Sequence, residues 1–259
     1  MSCYKIVFSP TGGTKKVVDI LGEVLGSDKE IDLCDRTADF SEFAFSPDDV
    51  CLVGVPAFGG RVPAVAVERL SKMHGNGALA IAVAVFGNRA IDDTLVELYD
   101  VLEGASFSCI AAVEAVAEHS IVRDYGAGRP DDDDVKSLRE IAGKIEDAIS
   151  SKSEGKGTIG KPDIPGNRPY LKYNGVPAKP KASKACNGCG TCARLCPVGA
   201  IDENDPKNTD NDVCISCMRC IAVCPQGARS ISKVVHAAIS KALKKPCAER
   251  KENKLYMNA

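Results

Sequence analysis

Eight of the chain's 13 cysteines stand in two copies of one pattern, C-x2-C-x2-C-x3-C-P. The first copy contains Cys186, Cys189, Cys192 and Cys196 ahead of Pro197, and the second contains Cys214, Cys217, Cys220 and Cys224 ahead of Pro225. Thiolates at this spacing are typical ligands of iron–sulfur clusters. The repetition indicates an internal duplication within one small module.

Two other uses of paired cysteines account for the pattern less well. Disulfides need an oxidising compartment, and the chain starts with a polar MSCYK segment where a secretory signal would be apolar. Structural zinc takes four ligands, so the third cysteine of each close triplet would have no metal to bind. We therefore expect two 4Fe–4S clusters, with a zinc-dependent binding module as the alternative.

Residues 183–233 resemble a two-cluster bacterial ferredoxin domain on the strength of this motif. The resemblance implies that the fourth cysteine of each run reaches the cluster held by the other run. One 4Fe–4S cluster would use Cys186, Cys189, Cys192 and Cys224, and the second would use Cys214, Cys217, Cys220 and Cys196. Short matching strands are predicted after the two runs, at 200–202 and at 228–231.

A second candidate site follows the first apolar run of the chain, Cys3–Phe8. The loop SPTGGT contains three hydroxyl side chains and two glycines, namely Ser9, Thr11, Thr14, Gly12 and Gly13. Backbone amides next to glycine, hydroxyl donors and the start of the following helix all favour a bound phosphate. The fingerprints of nucleotide P-loops and of dinucleotide folds are both absent from this loop. A simple helix cap is the alternative.

Two further glycine-bearing loops follow apolar, strand-like runs. Residues 49–55 lead into PAFGGRVP (56–63), and residues 78–86 lead into FGNRAIDD (86–93). Helical segments follow each loop, and this alternation predicts an α/β fold with a parallel sheet between two helical layers. Ligands of such sheets bind outside the carboxyl ends of the strands. We therefore expect the three loops to form one site.

Residues 1–150 resemble a flavodoxin domain on these three loops. The predicted fold class is α/β, a flavodoxin-like doubly wound parallel sheet, plus a small α+β two-cluster ferredoxin domain. The resemblance implies FMN as the cofactor. Its predicted contacts are Ser9, Thr11, Gly12, Gly13, Thr14, Pro56, Ala57, Phe58, Gly59, Gly60, Phe86, Gly87, Asn88, Arg89 and Asp92. One departure is the lack of tryptophan, because flavodoxins usually flank the flavin ring with tryptophan and tyrosine.

Three basic side chains close to these loops have two interpretations each. Arg61 and Arg89 either stabilise a reduced flavin or pair with acidic side chains, and the first role is favoured for Arg89. His119 follows the last predicted strand at the same end of the sheet, where a structural hydrogen-bonding role is favoured over proton donation. No catalytic residue is assigned.

Composition divides the chain into four segments. We predict a flavodoxin-like domain at 1–150, a Lys/Pro/Gly-rich linker at 151–182, a ferredoxin domain at 183–233, and a helix and tail at 234–259. Apolar residues in the linker, including Ile164 and Tyr170, predict that it lies against the first domain. The charged tail after Pro246 is expected to be mobile.

The whole chain resembles the flavodoxin–ferredoxin fusion proteins of anaerobic bacteria and archaea. This resemblance implies an FMN- and iron–sulfur-dependent oxidoreductase that passes electrons from a low-potential, ferredoxin-like donor through two clusters to FMN and on to an unidentified acceptor. A non-enzymatic carrier or redox sensor between protein partners is the alternative. No run reaches the length of a membrane span, no nucleic-acid-binding motif accompanies the basic residues, and a cytoplasmic location is expected. The sequence leaves the oligomeric state open.

Overall fold

The computed structural model describes residues 2–258. Its larger sheet contains five parallel strands, β1 Cys3–Val7, β2 Lys29–Asp32, β3 Val50–Pro56, β4 Leu79–Phe86 and β5 Ser108–Val116. The strands run in the order β2-β1-β3-β4-β5, which is the flavodoxin-like doubly wound order. The predicted fold class is confirmed. The pattern gave no sign of β2, because only Ile31 of its four residues is buried.

Four helices cover the two faces of this sheet, α1 Gly13–Val24, α2 Ala64–Leu70, α3 Thr94–Gly104 and α4 Asp132–Ser153. On one face, α1 and α4 pack through apolar residues such as Leu21 and Ile145. On the other face, α2 and α3 pack through residues such as Leu70 and Leu98. β4 is buried along its whole length, as expected for a parallel strand covered on both sides. Among residues 2–258 no helix is both long and apolar enough to cross a membrane.

The segment that follows α4 lies against the sheet domain. Ile159 and Ile164 pack on the two hydrophobic clusters, one on each face. The Asp93 carboxylate accepts hydrogen bonds from the backbone N–H groups of Asn167 (2.8 Å) and Leu171 (2.7 Å). Three successive anchors therefore hold this stretch in place, although its composition is that of a flexible linker.

The cysteine runs form a small module built around two one-turn helices, α5 Thr191–Arg194 and α6 Arg219–Ala222. Two short strands, β6 Lys181–Ala182 and β7 Arg229–Ser230, pair antiparallel. The predicted strand at 228–231 is thus present as β7, whereas the segment at 200–202 forms only one bridge, between Ile201 and Thr209. The two predicted segments do not pair with each other, because each already has a partner elsewhere in the module.

The expectation of a mobile tail is wrong. After α7 Lys233–Leu243, the chain returns to the sheet and adds β8 Lys254–Tyr256 antiparallel to β5. Leu255 and Tyr256 pack on opposite hydrophobic clusters. The cause is the edge of the sheet: β5 would otherwise present unpaired backbone groups, and an added strand satisfies them.

Candidate cofactor sites

The carboxyl ends of β1, β3 and β4 open into one cavity of about 1050 Å³. The cavity brings together eleven of the predicted FMN contacts, namely Ser9, Thr11, Gly13, Thr14, Pro56, Ala57, Phe58, Gly59, Phe86, Gly87 and Arg89. The three glycine-bearing loops therefore meet, as their position after neighbouring parallel strands requires.

The loop at the start of α1 fits a phosphate group. Gly12 occupies the N-cap in a left-handed conformation (φ 91°), and no side chain caps this helix. A helix leaves its first amides without intrahelical acceptors, so those of Gly13 and Thr14 are available to an anion. The Ser9 hydroxyl orients the loop by accepting a hydrogen bond from the Lys15 N–H group at 2.9 Å. Thr14 is buried, and both it and Thr11 line the cavity.

Four predicted FMN contacts do not line the cavity: Gly12, Gly60, Asn88 and Asp92. Gly12 is the helix cap, and Gly60 packs so closely on Asp92 that a side chain there would overlap that carboxylate. Asp92 pairs with Arg89. Asn88 is buried, and its amide donates to the carbonyl oxygens of Cys247 and Glu249 at 3.0 Å each. The structure thus gives these residues roles within the protein scaffold.

The two arginines take different positions. The guanidinium of Arg61 forms two 2.7 Å bonds to the Glu97 carboxylate and a third to the carbonyl oxygen of Leu171. Arg61 is therefore paired with an acid and holds the linker. Arg89 lines the cavity while it pairs with Asp92, so its charge is partly neutralised before any cofactor binds.

His119 also lines the cavity, in the loop after β5. Its Nδ1 atom accepts hydrogen bonds from the backbone N–H groups of Ile121 and Val122, both at 3.1 Å. Burial, together with the positive charge of Arg89, lowers the pKa of His119 to about 4. The imidazole is therefore neutral at physiological pH and acts as a hydrogen-bond acceptor that shapes this loop.

Several residues of the cavity wall come from outside the flavodoxin-like domain and were not predicted. They are Tyr173 and Val176 of the linker, Ile215, Ser216 and Cys217 of the second cysteine run, and Ile239 and Leu243 of α7. The one sequence feature that could have indicated these contacts is the apolar character of the linker and of α7. The linker tyrosine is half-buried, and burial raises its pKa. Tyr173 adds an aromatic ring to those of Phe58 and Phe86 in the cavity wall of a chain without tryptophan.

The cysteines of the two runs surround two smaller cavities. One, of about 300 Å³, is lined by Cys186, Cys189, Cys192 and Cys224. The other, of about 340 Å³, is lined by Cys196, Cys214, Cys217 and Cys220. Each cavity therefore takes three cysteines from one run and the fourth from the other, which is the grouping that the motif predicts.

The fourth cysteine of each run has the same surroundings. The N–H group of Ala200 donates to the Cys196 sulfur at 3.3 Å, and that of Ala228 donates to the Cys224 sulfur at 3.3 Å. Such bonds stabilise a thiolate and tune a bound cluster. Among residues 2–258 no three His, Cys, Asp or Glu side chains converge tightly enough to hold one metal ion.

The cysteines outside the two runs are all buried, namely Cys3, Cys34, Cys51, Cys109 and Cys247. Burial raises the pKa of the Cys34 and Cys109 thiols to about 12. These thiols stay protonated at neutral pH and serve as small apolar side chains.

The second cysteine run lies directly against the cavity formed by the three strand-end loops, which we call the flavin-side cavity. Cys217 lines both that cavity and the second cysteine cavity. The Ser216 hydroxyl donates to the carbonyl oxygen of Val176 at 3.1 Å, and the Lys179 ammonium donates to the carbonyl oxygen of Cys214. The buried Arg69 of α2 donates to the carbonyl oxygen of Pro197 at 2.7 Å. The module is thus bonded both to the linker and to the sheet domain.

Comparison with known proteins found one family model and several solved structures. Residues 185–229 match the family model described as a 4Fe-4S dicluster domain. The search of curated proteins found no match. Among solved structures, a flavodoxin of Streptococcus pneumonia TIGR4 is 22% identical, with a TM-score of 0.41 over 58% of this chain and 99% of its own.

Two other solved structures cover the same part of the chain. A flavodoxin from the domain Archaea is 12% identical, with a TM-score of 0.42 over 58% of this chain and 99% of its own. The NADH:FMN oxidoreductase EMOB, in its apo form, is 15% identical, with a TM-score of 0.43 over 60% of this chain and 93% of its own. The fold assignment itself rests on the strand order. The chain joins a flavodoxin-like sheet to a 4Fe–4S dicluster domain, the combination of an electron-transfer flavoprotein.

Proposed function

We propose that the chain is an iron–sulfur flavoprotein oxidoreductase with one FMN and two 4Fe–4S clusters. It takes electrons from a low-potential, ferredoxin-like donor and passes them through the clusters to FMN and on to an acceptor. The observation that carries this proposal is the position of Cys217, which lines both the second cysteine cavity and the cavity of the three strand-end loops.

The exposure of the cysteines suggests the order of the two clusters. Cys189 of the first cavity is exposed, whereas Cys217 of the second cavity is buried beside the flavin-side cavity. The first run therefore faces a donor in solution, and the second run faces the flavin. The two cysteine cavities lie close together, since each is lined by three cysteines of one run and the fourth of the other.

The two ends of the flavin-side cavity would bind different parts of FMN. The Thr11 and Thr14 hydroxyls, with the amides at the start of α1, would hold the FMN phosphate by charge-assisted hydrogen bonds. Phe58 and Tyr173 would flank the ring, and the apolar side chains of α7 exclude water. When bound, FMN supplies a centre that accepts electrons singly and releases them as a pair, and the clusters supply one-electron centres.

Cofactor analysis of anaerobically purified protein tests this proposal. We expect flavin and iron–sulfur bands in the visible spectrum, FMN on extraction, and about eight irons with matching sulfide per chain. Stoichiometric zinc without sulfide would instead establish a zinc-binding module. Iron and sulfide without flavin would support the dicluster domain but contradict the proposed flavoprotein oxidoreductase.

The second candidate is a carrier or redox sensor that relays electrons between proteins. It is favoured by the cover over the flavin-side cavity, to which the linker, the second cysteine run and α7 all contribute. The two functions separate on reoxidation of the reduced protein. An oxidoreductase is reoxidised by a small organic acceptor with saturation kinetics, whereas a carrier is reoxidised at speed only by another redox protein.

A further inference from the structure

A second open cavity, of about 1170 Å³, adjoins the flavin-side cavity. It lies between the start of α2, the linker and the second cysteine run, and we call it the α2 cleft. The two cavities share five wall residues, Phe58, Tyr173, Val176, Ile215 and Ser216. A molecule in the α2 cleft would therefore be separated from the flavin-side cavity by the thickness of a side chain.

The wall of the α2 cleft is largely apolar and aromatic. Val62, Pro63 and Val67 form one side, opposite the shared rings of Phe58 and Tyr173. Sites for small ligands are commonly clefts of this kind, with apolar walls and a few polar groups that set orientation.

The charged side chains that line the α2 cleft have a net charge of zero. Arg61 is engaged by Glu97 through two bonds of 2.7 Å. The Lys179 ammonium is turned to the carbonyl oxygen of Cys214, and Asp212 supplies one negative charge to balance it. An ionic ligand would find no unmatched partner here, so the cleft suits an uncharged molecule.

The cavity at the opposite, phosphate end has different chemistry. It measures about 880 Å³ and shares four wall residues with the flavin-side cavity, namely Thr11, Gly13, Glu118 and Ser120. Its wall includes the charged side chains of Lys16, Glu118 and Arg123. Its apolar wall is limited to Met218, Ile221 and Ala222, and an uncharged ring compound there would cost the charged groups solvation. The α2 cleft is therefore the better site for such a compound.

We propose that the α2 cleft binds the electron acceptor, and that the acceptor is an uncharged, flat ring compound of the quinone class. This inference rests on the proposed function. In one turnover the quinone takes up two electrons and two protons to give the hydroquinone. Two molecules of the one-electron, ferredoxin-like donor supply the electrons, and water supplies the protons.

The test uses the complete protein with its cofactors and menadione as the probe. Binding of menadione to the oxidised protein is measured by equilibrium dialysis, which requires no electron transfer. Ala64 is exposed in the first turn of α2 and lines only the α2 cleft, so Ala64→Trp fills the cleft without touching the flavin-side cavity. We expect one menadione per chain, with affinity at least about tenfold weaker in Ala64→Trp.

Two matched variants serve as controls. Ala64→Ser keeps the cleft open, and Arg123→Trp places a tryptophan at the cavity of the phosphate end, outside both cysteine runs. Both should bind menadione as the unsubstituted protein does, and all variants should keep their flavin and iron content. If Ala64→Trp loses its cofactors, Val67→Phe replaces it.

The possible outcomes are distinct. Binding that survives both filling substitutions in the α2 cleft, binding that Arg123→Trp weakens equally, or no binding up to the solubility of menadione would each overturn the inference. A protein that lacks flavin overturns the proposed function instead, because dialysis still reports on the cleft. Saturable reoxidation of the reduced protein by menadione, lost in Ala64→Trp, would support both.

Discussion

Gly59 offers the sharpest test of the role given to Tyr173. Its φ is +60°, and a Cβ atom at this position would overlap the ring of Tyr173. Gly59→Ala therefore has two costs. The left-handed backbone costs a residue with a side chain about 1–2 kcal/mol. Displacement of the half-buried ring removes roughly half the 1.5–3 kcal/mol that burial of a large side chain provides. We expect a loss of about 2–3.5 kcal/mol in the free energy of unfolding.

The same substitution should weaken FMN binding, because the displaced ring is part of the cavity wall. We expect the FMN dissociation constant to rise at least about tenfold, or about 1.4 kcal/mol. The measurements are urea unfolding of the protein with its cofactors and FMN titration followed by flavin fluorescence.

Gly77→Ala isolates the cost of the backbone. Gly77 has a φ of +84°, and a Cβ atom added to it would meet no other atom within 4 Å. This variant should therefore lose only about 1–2 kcal/mol and keep its FMN affinity. A double-mutant cycle completes the test. In a Tyr173→Ala background, Gly59→Ala should cost no more than Gly77→Ala. An unchanged FMN affinity, or an equal cost with and without the tyrosine ring, would refute the contact between linker and flavin site.

Four further predictions concern the clusters, the phosphate, the donor and the tail. Cys196→Ser should disturb the cluster of the second cysteine run, so iron counts and resonance spectra that show loss of only the other cluster would contradict the exchange of fourth ligands. Thr11→Ala with Thr14→Ala removes two donors worth roughly 1.5–3 kcal/mol each, so FMN affinity should fall at least about tenfold with the clusters intact; unchanged affinity would place the phosphate elsewhere. Reduced ferredoxin or dithionite should bleach both chromophores, whereas rapid bleaching by NADH or NADPH in a stopped-flow mixer would identify a nicotinamide-dependent reductase. Hydrogen bonds from Arg250 lower the pKa of Asp131, so their pairing stabilises the fold at neutral pH and is lost as the pH falls towards the lowered pKa. Arg250→Ala should lower the free energy of unfolding at neutral pH and reduce its fall towards acid pH, and an unchanged dependence of that free energy on pH would contradict this.

The features that were predictable from sequence are those formed by residues that lie close together along the chain. The cysteine runs carry their spacing within twelve residues, and the loop from Ser9 to Thr14 joins its strand to its helix directly. The parallel sheet followed from alternating strands and helices, whereas its strand order was implied by the resemblance to flavodoxins, since no pattern marked β2. The ligand assignments within these motifs stay predictions until the cofactors are measured.

The parts that were missed depend on contacts between distant segments. β8 has three residues and its pairing partner β5 stands more than a hundred positions earlier, so no local periodicity marks it as a strand. Tyr173 lies in a stretch rich in lysine, glycine and proline, and its position follows from anchors such as Asp93. α7 has an apolar stripe but no buried residue, because it covers the edge of a cavity instead of a core.

The attachment of the tail sets an order of assembly during synthesis. Asn88, in the loop after β4, binds carbonyl groups of Cys247 and Glu249, and β8 closes the edge of β5. These partners leave the ribosome only after the whole cysteine module has been made. A nascent chain with five strands therefore carries an open sheet edge and an unanchored flavin loop. The loop after β4 and the edge of β5 thus reach their final contacts only after the cysteine module has been translated.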